Sequence, residues 1–101
     1  MSEAELLARV VLLMDELGLA WHHCYEPRCC GGSPGWPDLT IAGSGGIVFR
    51  ELKSEDGRVT LKQRQLGRRI LAAGGNWGVW RPVNLDSGSI ESVLRHLADA
   101  L

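Results

Sequence analysis

The chain has 101 residues, 45% of them hydrophobic and 23% charged, with a formal net charge of -1. That length supports one domain, residues 1–101, with a single modest core, and the composition is that of a soluble globular protein rather than a disordered or membrane-embedded one. A charge so close to zero does not by itself indicate a nucleic-acid partner.

At the N-terminus Leu6, Leu7, Val10, Met14 and Leu17 recur at helical spacing, which predicts a helix over Ser2 to Leu17 stopped by Gly18. Its apolar run, Leu6 to Met14, is too short to cross a bilayer and is broken by Arg9, and the acids before it do not suit a signal peptide. The expectation is a cytoplasmic protein without a membrane partner. At about 100° per residue, Glu3 falls on the apolar stripe and Glu5 on the opposite side, so Glu3 is expected to face inward and Glu5 to face water. An acid in a first turn also suits the helix dipole without any further role.

Ala20 to Tyr25 reads as a first strand, followed by a loop over Glu26 to Trp36 rich in Pro and Gly. His22 and His23 project to opposite faces, so at most one can reach a given site; each reads as a structural or substrate-contacting residue rather than a metal ligand. Cys24, Cys29 and Cys30 are odd in number and lack paired Cys-x-x-Cys spacing, so they read as buried or incidental thiols. Arg28 and Ser33 are loop groups able to touch phosphate.

Asp38 to Ala42 and Ile47 to Lys53 are short runs rich in β-branched and aromatic residues, separated by Gly43-Ser44-Gly45-Gly46, and predict a β-hairpin. If Ala42 and Ile47 pair last before the turn, Asp38 lies directly opposite Glu51. Glu51 and Lys53 then share a face, and Asp38 joins it through the pairing. Opposed carboxylates about 5 Å apart are unfavourable unless a cation lies between them. A divalent metal would supply that cation; a solvated hairpin face with ordinary charges is the plainer alternative.

Seven of the eleven basic residues lie between positions 50 and 69, against three acids, so the hairpin's carboxylates are followed by a basic flank. Thr60 is a plausible N-cap for a second helix over Leu61 to Ala73, ended by Gly74 and Gly75. Leu66, Ile70 and Ala73 form its inner stripe with Gln63 on the same side, while Lys62, Arg64, Arg68 and Arg69 spread over the outer half, where a solvated face and a phosphate-contacting one are both open. Asn76 to Arg81 reads as a further strand joining the hairpin sheet and stopped by Pro82, Asp86 to Ser89 as a turn, and Ile90, Val93, Leu94, Leu97 and Leu101 as a last amphipathic helix. The order helix, strand, hairpin, helix, strand, helix predicts an α/β layer with helices packed on a mixed sheet.

Pro37-Asp38, twelve intervening residues and Glu51-Leu52-Lys53 resemble the signature of the PD-(D/E)XK nuclease superfamily. The Gly35 to Leu39 lead-in, Glu3 on the first helix, Gln63 at the start of the next, and the apolar strand ending Val79-Trp80-Arg81-Pro82 resemble its small VRR-NUC domains. The resemblance covers residues 3–82, and Thr60-Leu61-Lys62-Gln63 departs from the Ser-Pro-Glu-Gln common in such domains. It implies a restriction-endonuclease-like αβββαβ core, mixed central sheet flanked by helices, with the C-terminal helix as an addition. It further implies that Asp38, Glu51 and the Leu52 carbonyl bind Mg²⁺ or Mn²⁺, with Glu3 acting through a water or a second ion. Lys53 would orient the attacking water or neutralise developing charge, and Gln63 would fix Lys53 or the phosphate. Arg28, Ser33, Arg58, Lys62, Arg64 and Arg81 are the candidate DNA contacts. Stand-alone relatives of phage or prophage type act as homodimers on branched DNA such as four-way (Holliday) junctions, so the expected function is metal-dependent DNA endonuclease. A catalytically silent nuclease-fold module, binding nucleic acid or docking a partner, is the alternative.

Overall fold

Residues 1–24 and 31–99 are described in the computed structural model of the chain. The first helix, α1 (Glu3–Glu16), begins at a capping box in which the Ser2 hydroxyl accepts from the Glu5 N–H while the Glu5 carboxylate reaches back to the Ser2 N–H. Glu5 faces water, as expected, and it also holds the helix start. Leu6, Val10 and Met14 are fully buried along the predicted stripe.

Four strands, β1 (Ala20–His23), β2 (Leu39–Gly43), β3 (Gly46–Leu52) and β4 (Asn76–Trp80), form one sheet in the order β1-β2-β3-β4. The first three are antiparallel, and β4 joins β3 in parallel after helix α2 (Leu61–Ala72), so the sheet is mixed and open at β1 and β4. The hairpin keeps the expected register, with Leu39 opposite Arg50 and Ala42 opposite Ile47. Its turn is tighter than expected, because Gly43 and Gly46 still pair and only Ser44 and Gly45 remain at the tip. The first strand stops at His23, and the part of its expected span at Tyr25 lies outside the described residues.

Alternation along the strands sorts the two faces. Leu39, Ile41, Val48, Leu52 and Trp80 point into a core completed by α1 and by Ile90, Leu94 and Leu97 of the C-terminal helix α4 (Ser89–Ala98). Thr40, Phe49, Glu51, Trp77 and Val79 have the other parity and face the layer of α2. Gly67 of α2 makes that layer possible, since a Cβ there would collide with the Trp77 indole. A helical Gly→Ala change ordinarily stabilises by about 0.5–1 kcal/mol. Here Gly67→Ala is expected to destabilise by about 1–3 kcal/mol through overpacking, measured as a lower midpoint in urea.

Two features differ from the sequence reading. Pro82, read only as a strand stop, is the first residue of a short helix, α3 (Pro82–Asp86), whose start is held by Asn84 Oδ1 accepting from the Arg81 N–H at 2.8 Å. Asp86 is therefore the end of a helix rather than part of a turn. At the other end of the sheet the hairpin tip seats on α4: the Gly45 N–H donates to the Leu97 carbonyl at 2.9 Å, and a Cβ on Gly43 or Gly45 would meet the carbonyls of Leu97 or His96. Among the described residues no helix is long and apolar enough to cross a membrane.

Candidate active site

The end of the sheet away from the hairpin tip brings Asp38, Glu51 and Lys53 together. Asp38 sits one residue before β2, and its Oδ2 accepts from the Leu52 N–H at 2.9 Å, carrying the ladder one step past the last strand pair. Glu51 is 1% exposed, its side chain hydrogen-bonds Asp38, and Oε2 is buried with no hydrogen-bond partner among the described residues. Burial pushes the Glu51 carboxyl up to about 9, helped by the hydrogen bond and charge of Asp38 and by Glu3, and opposed by Lys53. A buried carboxyl pushed up this way favours its neutral form when no cation is near.

Glu3 reaches this site only electrostatically. It is exposed rather than inward-facing, because helical phase sets the direction of a first-turn residue but not whether anything covers it. Gln63 is half-buried, but its Oε1 accepts from the Thr60 N–H at 2.9 Å and its own N–H donates to Thr60 Oγ1, so a reciprocal cap claims the oxygen expected to fix Lys53. Its amide NH₂ and the second lone pair of Oε1 remain for another partner.

The approach to Asp38 is a cleft of about 780 Å³ lined by His22, Ser33, Trp36, Pro37 and Thr40 among others. Gly35 locks its wall to the start of α2: with φ of +87° and a would-be Cβ 2.6 Å from the Lys62 carbonyl oxygen, only glycine fits. Trp36 is 54% exposed and packs edge-on to Phe49 with ring centroids 6.2 Å apart. The two histidines diverge as expected, His22 to this cleft and His23 to the opposite face, where it pairs with Leu39. Burial pulls the His23 imidazole below its ordinary value, against the pull of Asp38 and with a smaller push from His22. Cys24 is disulfide-bonded, which departs from the reading of incidental thiols. Arg28, Cys29 and Cys30 lie outside the described residues.

The basic flank separates into inner and outer groups. Arg50 is buried on the core side, over the Trp80 ring at 5.1 Å, and donates to the carbonyls of Phe49 and Asn76. Burial lowers its guanidinium below the ordinary value. Arg81, a candidate DNA contact, instead donates through Nη1 to the carbonyls of Ser54 and Gly57 at 2.7 Å and of Glu55 at 3.2 Å. It pins the turn that follows Lys53, a contact across 24 to 27 residues that local patterns do not reveal. Lys62 is exposed. Arg58 and Arg64 line one groove with Arg68, a residue missed as a site candidate although its i,i+4 relation to Arg64 was readable.

Among the described residues no group of three or more His, Cys, Asp or Glu is placed to hold an ion. Asp38 and Glu51 are the two carboxyls that meet at this end of the sheet. A buried orphan oxygen, an all-oxygen pair of carboxyls and a carboxyl pushed up by burial beside Asp38 fit a hard divalent cation that binds one or two carboxylates and keeps waters for the rest. No family model, curated protein or solved structure matches this chain.

Proposed function

We propose that the chain is a Mg²⁺- or Mn²⁺-dependent endonuclease of DNA, with the restriction-endonuclease-like core of the PD-(D/E)XK superfamily in its VRR-NUC form. The observation that carries this reading is the buried Glu51 carboxyl, hydrogen-bonded to Asp38, with an unpartnered oxygen and with the Lys53 charge acting on it. A stable fold gains nothing from two carboxyls face to face, so their placement argues for a ligand.

Asp38 and Glu51 would hold the ion, with the Leu52 carbonyl as a further oxygen. When bound, the ion shields the phosphate and lowers the pKa of water. To serve as a donor Glu51 would release its proton to solvent, and Lys53 would place an ammonium where charge develops on the phosphate. Arg81 fixes the turn after Lys53 and so acts as a positioning residue. Trp36, projecting beside the cleft, offers a face to a base. Branched DNA and a homodimer are the proposed substrate and assembly, since two symmetric sites suit two strands of a symmetric junction.

The test is incubation of the purified protein with each metal on single-stranded, duplex, flap and four-way-junction DNA. Metal-dependent cutting, strongest on the junction, is the expected result. Glu3, exposed rather than turned into the site, favours the silent nucleic-acid-binding module instead, and DNA binding without cutting of any substrate would establish it.

A further inference from the structure

On the far side of α2 from the cleft, beside the open edge of β4, lies a groove of about 650 Å³. Arg58, Arg64 and Arg68 line it, with Leu71, Trp77 and Val79 as its apolar part. All three arginines are exposed, and among the described residues they make no hydrogen bond or ion pair. The nearest acid in sequence with a defined contact, Glu55, turns its carboxylate to the Val83 N–H at 2.8 Å. Arg81, the fourth arginine at the groove, is spent on backbone carbonyls. The groove therefore carries three guanidinium groups without an ion pair among the described residues, over an apolar wall, with exposed Asp56 two residues before Arg58.

Arginines set against a helix face by stability alone are ordinarily interspersed with acids, and α2 has none in its Leu61–Ala72 span. Arg64 and Arg68 are one turn apart, about 6 Å along the helix axis, against about 3.4 Å of axial rise per phosphate of one DNA strand. Two neighbouring turns thus reach phosphates about two steps apart. The groove is also joined to the candidate site through the sheet, because Val79 on its wall pairs with Glu51.

We infer that this groove is a second nucleic-acid contact, holding the phosphate backbone of the substrate outside the scissile position through Arg58, Arg64 and Arg68. This inference rests on the endonuclease reading for its ligand and extends it to a part of the molecule that the carboxylates do not touch. The contact is electrostatic and carries no base sequence information. A substrate engaging both places lies across α2, so the arginines act on binding and leave the chemical step alone.

The experiment is fluorescence-anisotropy titration of labelled duplex and four-way-junction DNA in EDTA, over a salt series, with wild type, Arg64→Gln/Arg68→Gln and Arg58→Gln. Each lost phosphate contact lowers the slope of log affinity against log salt by about 0.9 on duplex DNA, so the double variant is expected to lose about 2 from the slope. Arg95→Gln, at an exposed arginine paired with Glu91 on α4, serves as the control and leaves the slope unchanged. Slopes equal to wild type in the groove variants, or no binding by wild type even at low salt, would overturn the inference. With metal added, the groove variants raise KM and keep kcat. Wild type that binds with the arginine-dependent slope but cuts nothing leaves the groove standing and removes the endonuclease; cutting with groove-variant slopes and KM unchanged does the reverse.

Discussion

Asp38→Asn is expected to abolish metal-dependent cutting while leaving the protein folded, and Lys53→Met to slow cutting by about 10²–10³-fold. The asparagine is the informative change because Asp38 has two jobs. One oxygen accepts from the Leu52 N–H and closes the end of the hairpin. The amide oxygen of asparagine keeps that bond, so the change removes a charge without orphaning a buried donor, a fault that costs about 1–3 kcal/mol. Asp38→Ala would confound the two effects. Lys53 presents no such difficulty, since methionine keeps its apolar stem and removes only the ammonium. The measurement is single-turnover cleavage of junction DNA, with the thermal melt of each variant as the control on folding. Full activity in either variant would remove these residues from the chemistry.

Glu51→Gln is expected to make the metal-free protein more stable, and the gain is expected to grow with pH. Below about pH 4.5 the carboxyl is protonated in folded and unfolded chains alike and costs nothing; between there and about 9 the unfolded chain releases a proton that the folded chain retains. Wild-type stability therefore falls by about 1.4 kcal/mol for each pH unit in that window, or by about 3 kcal/mol at pH 7. Glutamine does not titrate and can still donate a hydrogen bond to Asp38. The predicted signature is a small difference in melting temperature at pH 5 and one of about 12 °C or more at pH 7. Mg²⁺ or Mn²⁺ should raise the wild-type melt at neutral pH and leave the Glu51→Gln melt nearly where it was. A variant less stable than wild type at every pH would show that Glu51 is accommodated as a charge.

The order and phase of the elements were readable because they rest on local rules. The paired runs and the Gly43 to Gly46 turn set the hairpin register, and one step beyond its Leu39–Arg50 pair brings Asp38 opposite Glu51. The Ser2-x-x-Glu5 and Thr60-x-x-Gln63 capping boxes are equally local; the sequence marks Thr60 as a cap, and the structure adds Gln63 as its reciprocal partner. Pro82 carried two meanings, strand stop and helix start, and only the Asn84 contact chooses between them. Other features were out of reach of pattern. Arg81 against Ser54 and Gly57, and Arg50 over Trp80, depend on which distant carbonyl or ring stands beside a cation. Composition counts both as free positive charge, although the fold withdraws them and leaves Arg58, Arg64 and Arg68 outside.

The seat of the hairpin tip on α4 gives the last helix a duty at the opposite end of the sheet. Strand pairing alone is indifferent to a slide of one residue, but such a slide turns every side chain of β3 to the other face, sending Glu51 toward the apolar layer and Leu52 out. The Gly45 N–H on the Leu97 carbonyl, with no room for a side chain at Gly43 or Gly45, forbids that slide. The C-terminal helix thus acts as a stop at the hairpin tip: it backs up the count that the turn begins, and with it the position at which the carboxylates meet.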